Sequence, residues 1–301
     1  MSDADFRAAA ERVGHYIRRT PVLHATVDGR AVAFKLEHLQ VAGVFKIRGA
    51  LNALLTAGAK DGGLDRVITA SGGNHGLGVA TAARWLGVPA TVFVPGTVPE
   101  AKARRIAAQD AEVVRVGTKY ADAERAAREL AGQSGSYYVH AYNDPAVIEG
   151  QGTLGLEIVK DFPGCDVIAV PVGGGGLIAG VTGAVAPVRV VGVEPEGCPT
   201  LHAAIKAGEP VEVGADSVAS SSLGASVIGE RALAVAQAHD VGLAMVNDTE
   251  IIAARDRLWE EFRLAVEPSA ATVFASWLAG QVEGEHPCLV LSGGNADWTP
   301  A

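Results

Sequence analysis

Short runs of β-branched and aliphatic residues with few charges recur along this chain: Arg66 to Ala70, Ala90 to Val94, Glu112 to Val116, Asp166 to Val170 and Arg189 to Val193. Each is followed by an Ala-rich or amphipathic stretch. Strands that read as near-continuous apolar runs are buried on both faces, and the intervening stretches supply the covering helices, so the pattern predicts an α/β architecture with mainly parallel sheets. With 301 residues, 49% of them hydrophobic, the chain is large enough for one large or two modest domains. Open sheets of this kind bind ligands beyond the carboxyl ends of their strands. That directs attention to three loops: Ala70 to Gly76, Pro171 to Leu177, and Leu291 to Asn295.

Several function classes are disfavoured at once. A net charge of -9 with no clustered Lys/Arg argues against a nucleic-acid partner, and Arg18-Arg19 and Arg104-Arg105 read as solvated helix faces. Cys165, Cys198 and Cys288 lie far apart without CxxC spacing, which offers neither a disulfide framework nor a zinc site and fits a reducing compartment. The acidic start, Met1 to Asp5, lacks the basic-then-apolar order of a signal peptide, so a cytoplasmic protein is expected. Val167 to Val188 is uncharged for long enough to suggest a membrane span. Pro171, Gly173 to Gly176 and Pro187 interrupt it, however, and it divides better into a buried strand, a loop and a buried helix.

The tetraglycine Gly173-Gly174-Gly175-Gly176 precedes a helical pattern beginning at Leu177. Successive backbone N–H groups at a helix N-terminus can converge on a phosphate, although a plain tight turn remains an equal alternative. A dinucleotide fingerprint does not fit, because its last glycine would fall on Ile178, and no Walker lysine follows.

Lys46, between Phe45 and Ile47 at an expected loop–helix junction, is a candidate for Schiff-base chemistry if partly desolvated. Arg48 is the competing functional cation but cannot deprotonate. In the third element, Ser71-Gly72-Gly73-Asn74-His75, the glycines expose N–H donors for a carboxylate and Asn74 can donate to an oxygen beside it. Alternatively, Ser71 or Asn74 caps the following helix, and His75 reads as a structural hydrogen-bonding residue.

Taken in order, these motifs resemble the fold-type-II pyridoxal-phosphate enzymes, specifically the threonine/serine dehydratase and serine racemase group. The resemblance also draws on Lys35-Leu36-Glu37 with Gln40, Phe45 to Ala50, Glu149 to Thr153, Gly192 to Pro195, Glu267-Pro268 and Ser292 to Asn295, and runs from Thr20-Pro21 to Asn295. It implies two open, twisted, parallel-rich sheets flanked by helices, as in tryptophan synthase β. The larger domain would combine residues 1–60 and 145–301, and the smaller would span 61–144. It implies pyridoxal 5′-phosphate held by Lys46 as a Schiff base, with Gly173 to Gly176 and Leu177 at the phosphate. Asn74 would lie at the ring hydroxyl, Ser292 at the ring nitrogen, and Phe45 beside the cofactor or simply in the core. Ser71, Gly72, Gly73, Asn74 and His75 would grip the substrate carboxylate. The expected reaction is β-elimination from a small L-hydroxy-amino acid such as threonine or serine, giving a 2-keto acid and ammonia, in a homodimer.

Departures from the family pattern qualify this. Ala42 and Val44 replace two hydroxyl residues common before the lysine. Gly72 stands where racemases of this group carry an opposite-face serine, which disfavours racemisation, although racemisation and β-replacement are the rival reactions on this scaffold. Leu77 replaces a frequent polar residue, which opens the alternative of a bulkier aryl-serine substrate. Thr200 replaces an acidic residue six places after Glu194, so no metal is expected. The chain ends soon after Asn295, and no regulatory domain is expected. A catalytically silent binding protein is the rival from another class.

Overall fold

The computed structural model describes residues 1–60 and 63–295, and the boundary expected at residue 61 lies outside them. Ten strands are present among the described residues: β1 Val22–Val27, β2 Arg30–Lys35, β3 Val67–Ala70, β4 Ala90–Val94, β5 Glu112–Arg115, β6 Tyr137–Tyr138, β7 Val167–Pro171, β8 Arg189–Pro195, β9 Gly242–Val246 and β10 Pro287–Val290. The helices are α1 Asp3–Val13, α2 Lys46–Gly58, α3 Asn74–Leu86, α4 Glu100–Ala107, α5 Tyr120–Ser134, α6 Pro145–Asp161, α7 Gly176–Val185, α8 Thr200–Ala207, α9 Ser220–Leu223, α10 Glu230–Ala238, α11 Asp248–Phe262 and α12 Pro268–Leu278.

Two sheets result, ordered β1-β2-β10-β7-β8-β9 and β5-β4-β3-β6. Every pairing is parallel except the β1–β2 hairpin. All five residues of β4 and of β7 are buried, as strands covered on both faces must be. The uncharged run from Val167 divides as expected into β7, the glycine loop and α7. One face of the larger sheet packs Phe34, Val193 and Leu289 under Phe274 and Leu258; the other packs Ile168, Val190 and Val290 under Leu154, Ile178 and Leu233. The smaller sheet shares its main cluster, with Val67, Val79 and Val92, with Ile47, Leu51 and Leu54 of α2.

The three helices around Lys46 approach one another through glycines. A Cβ on Gly78 of α3 would lie 3.2 Å from the Lys46 carbonyl carbon, one on Gly150 of α6 would lie 2.5 Å from the Arg48 carbonyl oxygen, and one on Gly49 would lie 2.7 Å from the Val147 carbonyl oxygen. The contacts at Gly49 and Gly150 exclude a side chain as the backbone stands, and one at Gly78 would have to push its neighbour back. At the far end of the crossover from the smaller sheet, Asp144 caps α6 by accepting from Ala146 N at 2.8 Å, with Pro145 in the first turn.

Candidate active site

Lys46 is the first residue of α2, immediately after a turn in which Ala42 (φ 60°) and Gly43 (φ 68°) are left-handed. Main-chain bonds lock this turn to the end of β10: Phe45 N donates to Ser292 O at 3.1 Å and Gly294 N to Gly43 O at 2.9 Å. The lysine ammonium donates to the Ala141 carbonyl at 2.9 Å and lies 5.2 Å from the centre of the Phe45 ring. Removal from water lowers its pKa to about 8. An amine in that range is a far better nucleophile at neutral pH than an exposed lysine.

Arg48, the competing cation, faces away into a buried ion network. Its guanidinium donates to both Glu37 oxygens at 2.8 Å, to Glu157 Oε1 at 2.8 Å and Oε2 at 2.9 Å, and to Thr153 Oγ1 at 3.1 Å. Lys35 adds bonds to Glu157 at 2.6 Å and to Thr20 O. Arg48 therefore anchors the first turn of α2, leaving Lys46 as the cation of the cleft at this junction.

Lys46 opens into a cavity of about 440 Å³, shared with Phe45, Asn74, the four glycines, Leu177, Glu267 and Ser292. Gly175 is left-handed (φ 87°) and caps α7. A Cβ on Gly173, Gly174, Gly175 or Gly176 would fall 2.9, 2.2, 2.5 or 3.0 Å from Leu223 Cα, Tyr142 Cδ1, Ala232 Cβ or Tyr142 Cα. The loop is thus packed against its neighbours where side chains would project, and its backbone lies at a helix N-terminus, a geometry suited to an anion. Amine, anion cradle and polar ring partners in one cavity fit pyridoxal 5′-phosphate.

Asn74 is at the hub of the opposite wall. Its Nδ2 donates to Glu267 Oε1 at 2.8 Å and to Ser222 Oγ at 3.2 Å, while its Oδ1 accepts from Asn295 Nδ2 at 3.0 Å. Any further acceptor taken by Asn74 must displace one of these partners. The capping alternative for this loop is not realised: Gly73 is the N-cap of α3 without a side-chain bond, and the Ser71 hydroxyl accepts from Gly73 N at 3.2 Å. Glu267, quoted in a motif but given no role from sequence, is buried; burial raises its pKa, against hydrogen bonds from Ser269, Asn74 and Ser222. Only the fold brings it to Asn74, 193 positions earlier.

A second cavity of about 700 Å³ adjoins the first through Lys46, Asn74, Gly174 and Ser222. It is lined further by Ser71, Gly73, His75, Tyr120 and Tyr142. His75 is buried with Nε2 3.2 Å from Val139 O; burial, and then the Lys46 charge, lower its pKa to about 3, so it is a neutral hydrogen-bonding residue. Gly72 faces away from this cavity, and a Cβ there would meet Val98 Cγ2 at 2.3 Å. Glu194 accepts from Thr200 Oγ1, Leu201 N and His202 N at 2.9, 2.7 and 2.8 Å, so its carboxylate is engaged at the start of α8.

Fold and site together define an α/β enzyme built to hold an aldehyde cofactor with an anionic tail. A family model described as pyridoxal-phosphate dependent enzyme matches residues 13–293, and the chain belongs to that family. It is 37% identical to an L-threonine ammonia-lyase of Geobacter sulfurreducens, over 96% of this chain and 74% of that protein. It is 36% identical to a phenylserine dehydratase of Ralstonia pickettii, over 95% and 90%. The solved structure of maize serine racemase superimposes with a TM-score of 0.90 at 31% identity, covering 98% of this chain and 94% of that one.

Proposed function

We propose that this chain is a lyase that dehydrates and deaminates an L-β-hydroxy-amino acid, such as threonine or serine, to a 2-keto acid and ammonia. The observation that carries this is the desolvated Lys46 amine opening into the tetraglycine cavity. When bound, pyridoxal 5′-phosphate supplies an aldehyde that condenses with amines and a conjugated ring that accepts the electrons released at the substrate Cα. Lys46 would hold the aldehyde and, once its amine is free, would take the substrate Cα proton. Backbone N–H groups of Gly173 to Gly176, beside Leu177, hold the phosphate. Asn74 is assigned to the ring hydroxyl and Ser292, a neutral partner, to the ring nitrogen, with Phe45 packed alongside. Ser71 to His75 orient the substrate carboxylate. Residues 1–60 with 145–301 would form one lobe and 61–144 the other, closing over substrate to exclude water.

A second reading, that the substrate is an aryl-serine, is favoured by Tyr120 and Tyr142 in the lining of the adjoining cavity. Keto acid and ammonia are assayed from L-threonine, L-serine and phenylserine with added cofactor. Turnover lost in Lys46→Ala, together with its absorbance band near the visible edge, is expected; a Lys46→Ala chain that keeps both sinks the proposal. Threonine turned over at least as efficiently as phenylserine counts against the second reading. Among the described residues no helix is long and apolar enough to cross a membrane. Cys165, Cys198 and Cys288 are buried free thiols, in keeping with a cytoplasmic site. A homodimer is proposed with the family, to be measured by light scattering.

A further inference from the structure

The crossover Val139 to Asp144 touches His75, Lys46 and the glycine loop of the proposed site. Val139 O meets His75 Nε2, Ala141 O accepts from Lys46 Nζ, the Tyr142 ring fills the space beside Gly174, and Asn143 Oδ1 accepts from Arg231 N at 3.3 Å. Its central residues belong to no helix or strand. A side chain closes the turn instead: His140 Nδ1 accepts from Tyr142 N at 3.2 Å and from Asn143 N at 3.0 Å. Nδ1 must be unprotonated to accept, which places the ring proton on Nε2, 3.8 Å from Glu124 Oε1.

We propose that His140 is a positioning residue for the cofactor site: as a neutral acceptor it fixes the turn that presents the Ala141 carbonyl to Lys46 and lays Tyr142 against the glycine cradle. This rests on the reading of Lys46 and Gly173 to Gly176 as cofactor-holding residues. Without the acceptor, two backbone N–H groups in a partly buried segment lose their partner, and among the described residues no other side chain accepts from them. The charged and titratable groups facing His140 are Glu124 and Arg128 of α5, Tyr138 of β6, Lys46 of α2, His75 of α3, and Tyr142 and Asp144 of the crossover itself. Burial lowers the His140 pKa, opposed by Glu124 and assisted by Arg128 and Lys46, so the acceptor form holds at neutral pH and is lost on acidification.

The test titrates pyridoxal 5′-phosphate into the cofactor-free full chain, followed by protein fluorescence, for wild type, His140→Asn and His140→Ala. Asparagine offers an acceptor oxygen that does not titrate. Near neutral pH, His140→Ala should bind about tenfold more weakly or worse, the scale of one lost net hydrogen bond, while His140→Asn stays within about threefold. On acidification, wild type should lose affinity more steeply than His140→Asn. A folded His140→Ala that binds within about twofold of wild type, or a His140→Asn as weak as His140→Ala, overturns the proposal by the same arithmetic. If His140→Ala does not fold, the comparison of wild type with His140→Asn decides, and parallel acid losses overturn it. Wild type that binds no cofactor at any pH would instead sink the proposed function.

Discussion

Replacing Arg48 with Met tests whether the buried ion network anchors the cofactor lysine's helix. Arg48 and Glu37 are both fully buried, and the substitution removes five hydrogen bonds from one guanidinium. Glu157 keeps Lys35, but Glu37 retains only the Thr20 hydroxyl as a hydrogen-bond partner. Removing one member of such a buried pair costs about 3–5 kcal/mol, because the other is left uncompensated. The pH dependence follows from Glu37. Burial pushes its pKa up, but the Arg48 charge and hydrogen bonds, with Thr20 and Lys35, bring it net below the usual carboxylate value. In wild type this contributes stability that is complete above the ordinary carboxylate pKa and lost as pH falls through the depressed value. Without Arg48, burial dominates, the folded pKa rises, and a penalty grows as pH climbs above the ordinary value. Guanidinium unfolding of the cofactor-free chain, followed by tryptophan fluorescence, should therefore give a deficit near the full about 3–5 kcal/mol at about pH 7.5 and a smaller one near pH 5. A deficit under about 1 kcal/mol at pH 7.5, or one that is larger at pH 5, would refute the reasoning, since ordinary surface changes fall in that range.

Three further outcomes follow from the site. Lys46→Met should make the cofactor-free chain more stable than wild type below about pH 8, with the gap closing between there and the ordinary lysine value of 10.5 as the wild-type amine stops paying desolvation; melting curves across that window check this. Gly174→Ala drives a Cβ to 2.2 Å from Tyr142 Cδ1. It should cost about 1–3 kcal/mol of stability and weaken cofactor binding, with Tyr142→Ala in the same chain recovering much of the stability. Gly72→Ser meets Val98 Cγ2 at 2.3 Å. It should lower stability by about 1–3 kcal/mol, recover with Val98→Ala, and yield no D-serine from L-serine by chiral chromatography.

Much of this arrangement is legible in the sequence because parallel strands under helices leave charge-poor runs, and the loops after β3, β7 and β10 carry the glycines, hydroxyls and amides of the site. The β1–β2 hairpin is not marked in that way: β1 is an edge strand, half exposed, and His24 and Thr26 break its apolar pattern. Glu267 stands in a legible motif, but its work depends on Asn74 and Ser269, and only tertiary structure makes the first contact. The crossover around His140 is harder still, because its contacts to Lys46 and His75 are made by main-chain carbonyls, which every residue type possesses. Conversely, Ser71 and Asn74 look like helix caps, yet Gly73 takes the capping position while Asn74 turns to Glu267.

The first turn of α2, which begins at Lys46, is hemmed in by helices that approach it at glycines, α3 at Gly78 beside Lys46 and α6 at Gly150 beside Arg48 and Gly49. Such a mounting behaves as a clamp and leaves the four-carbon arm as the compliant element. Travel of the amine between partners is then confined to rotations about the arm's own single bonds, whose staggered wells give it a few discrete stopping points rather than a continuum. Engineering the reach of this amine therefore belongs with the groups at the far end of the arm, since thickening any of the clamping glycines would move the pivot itself.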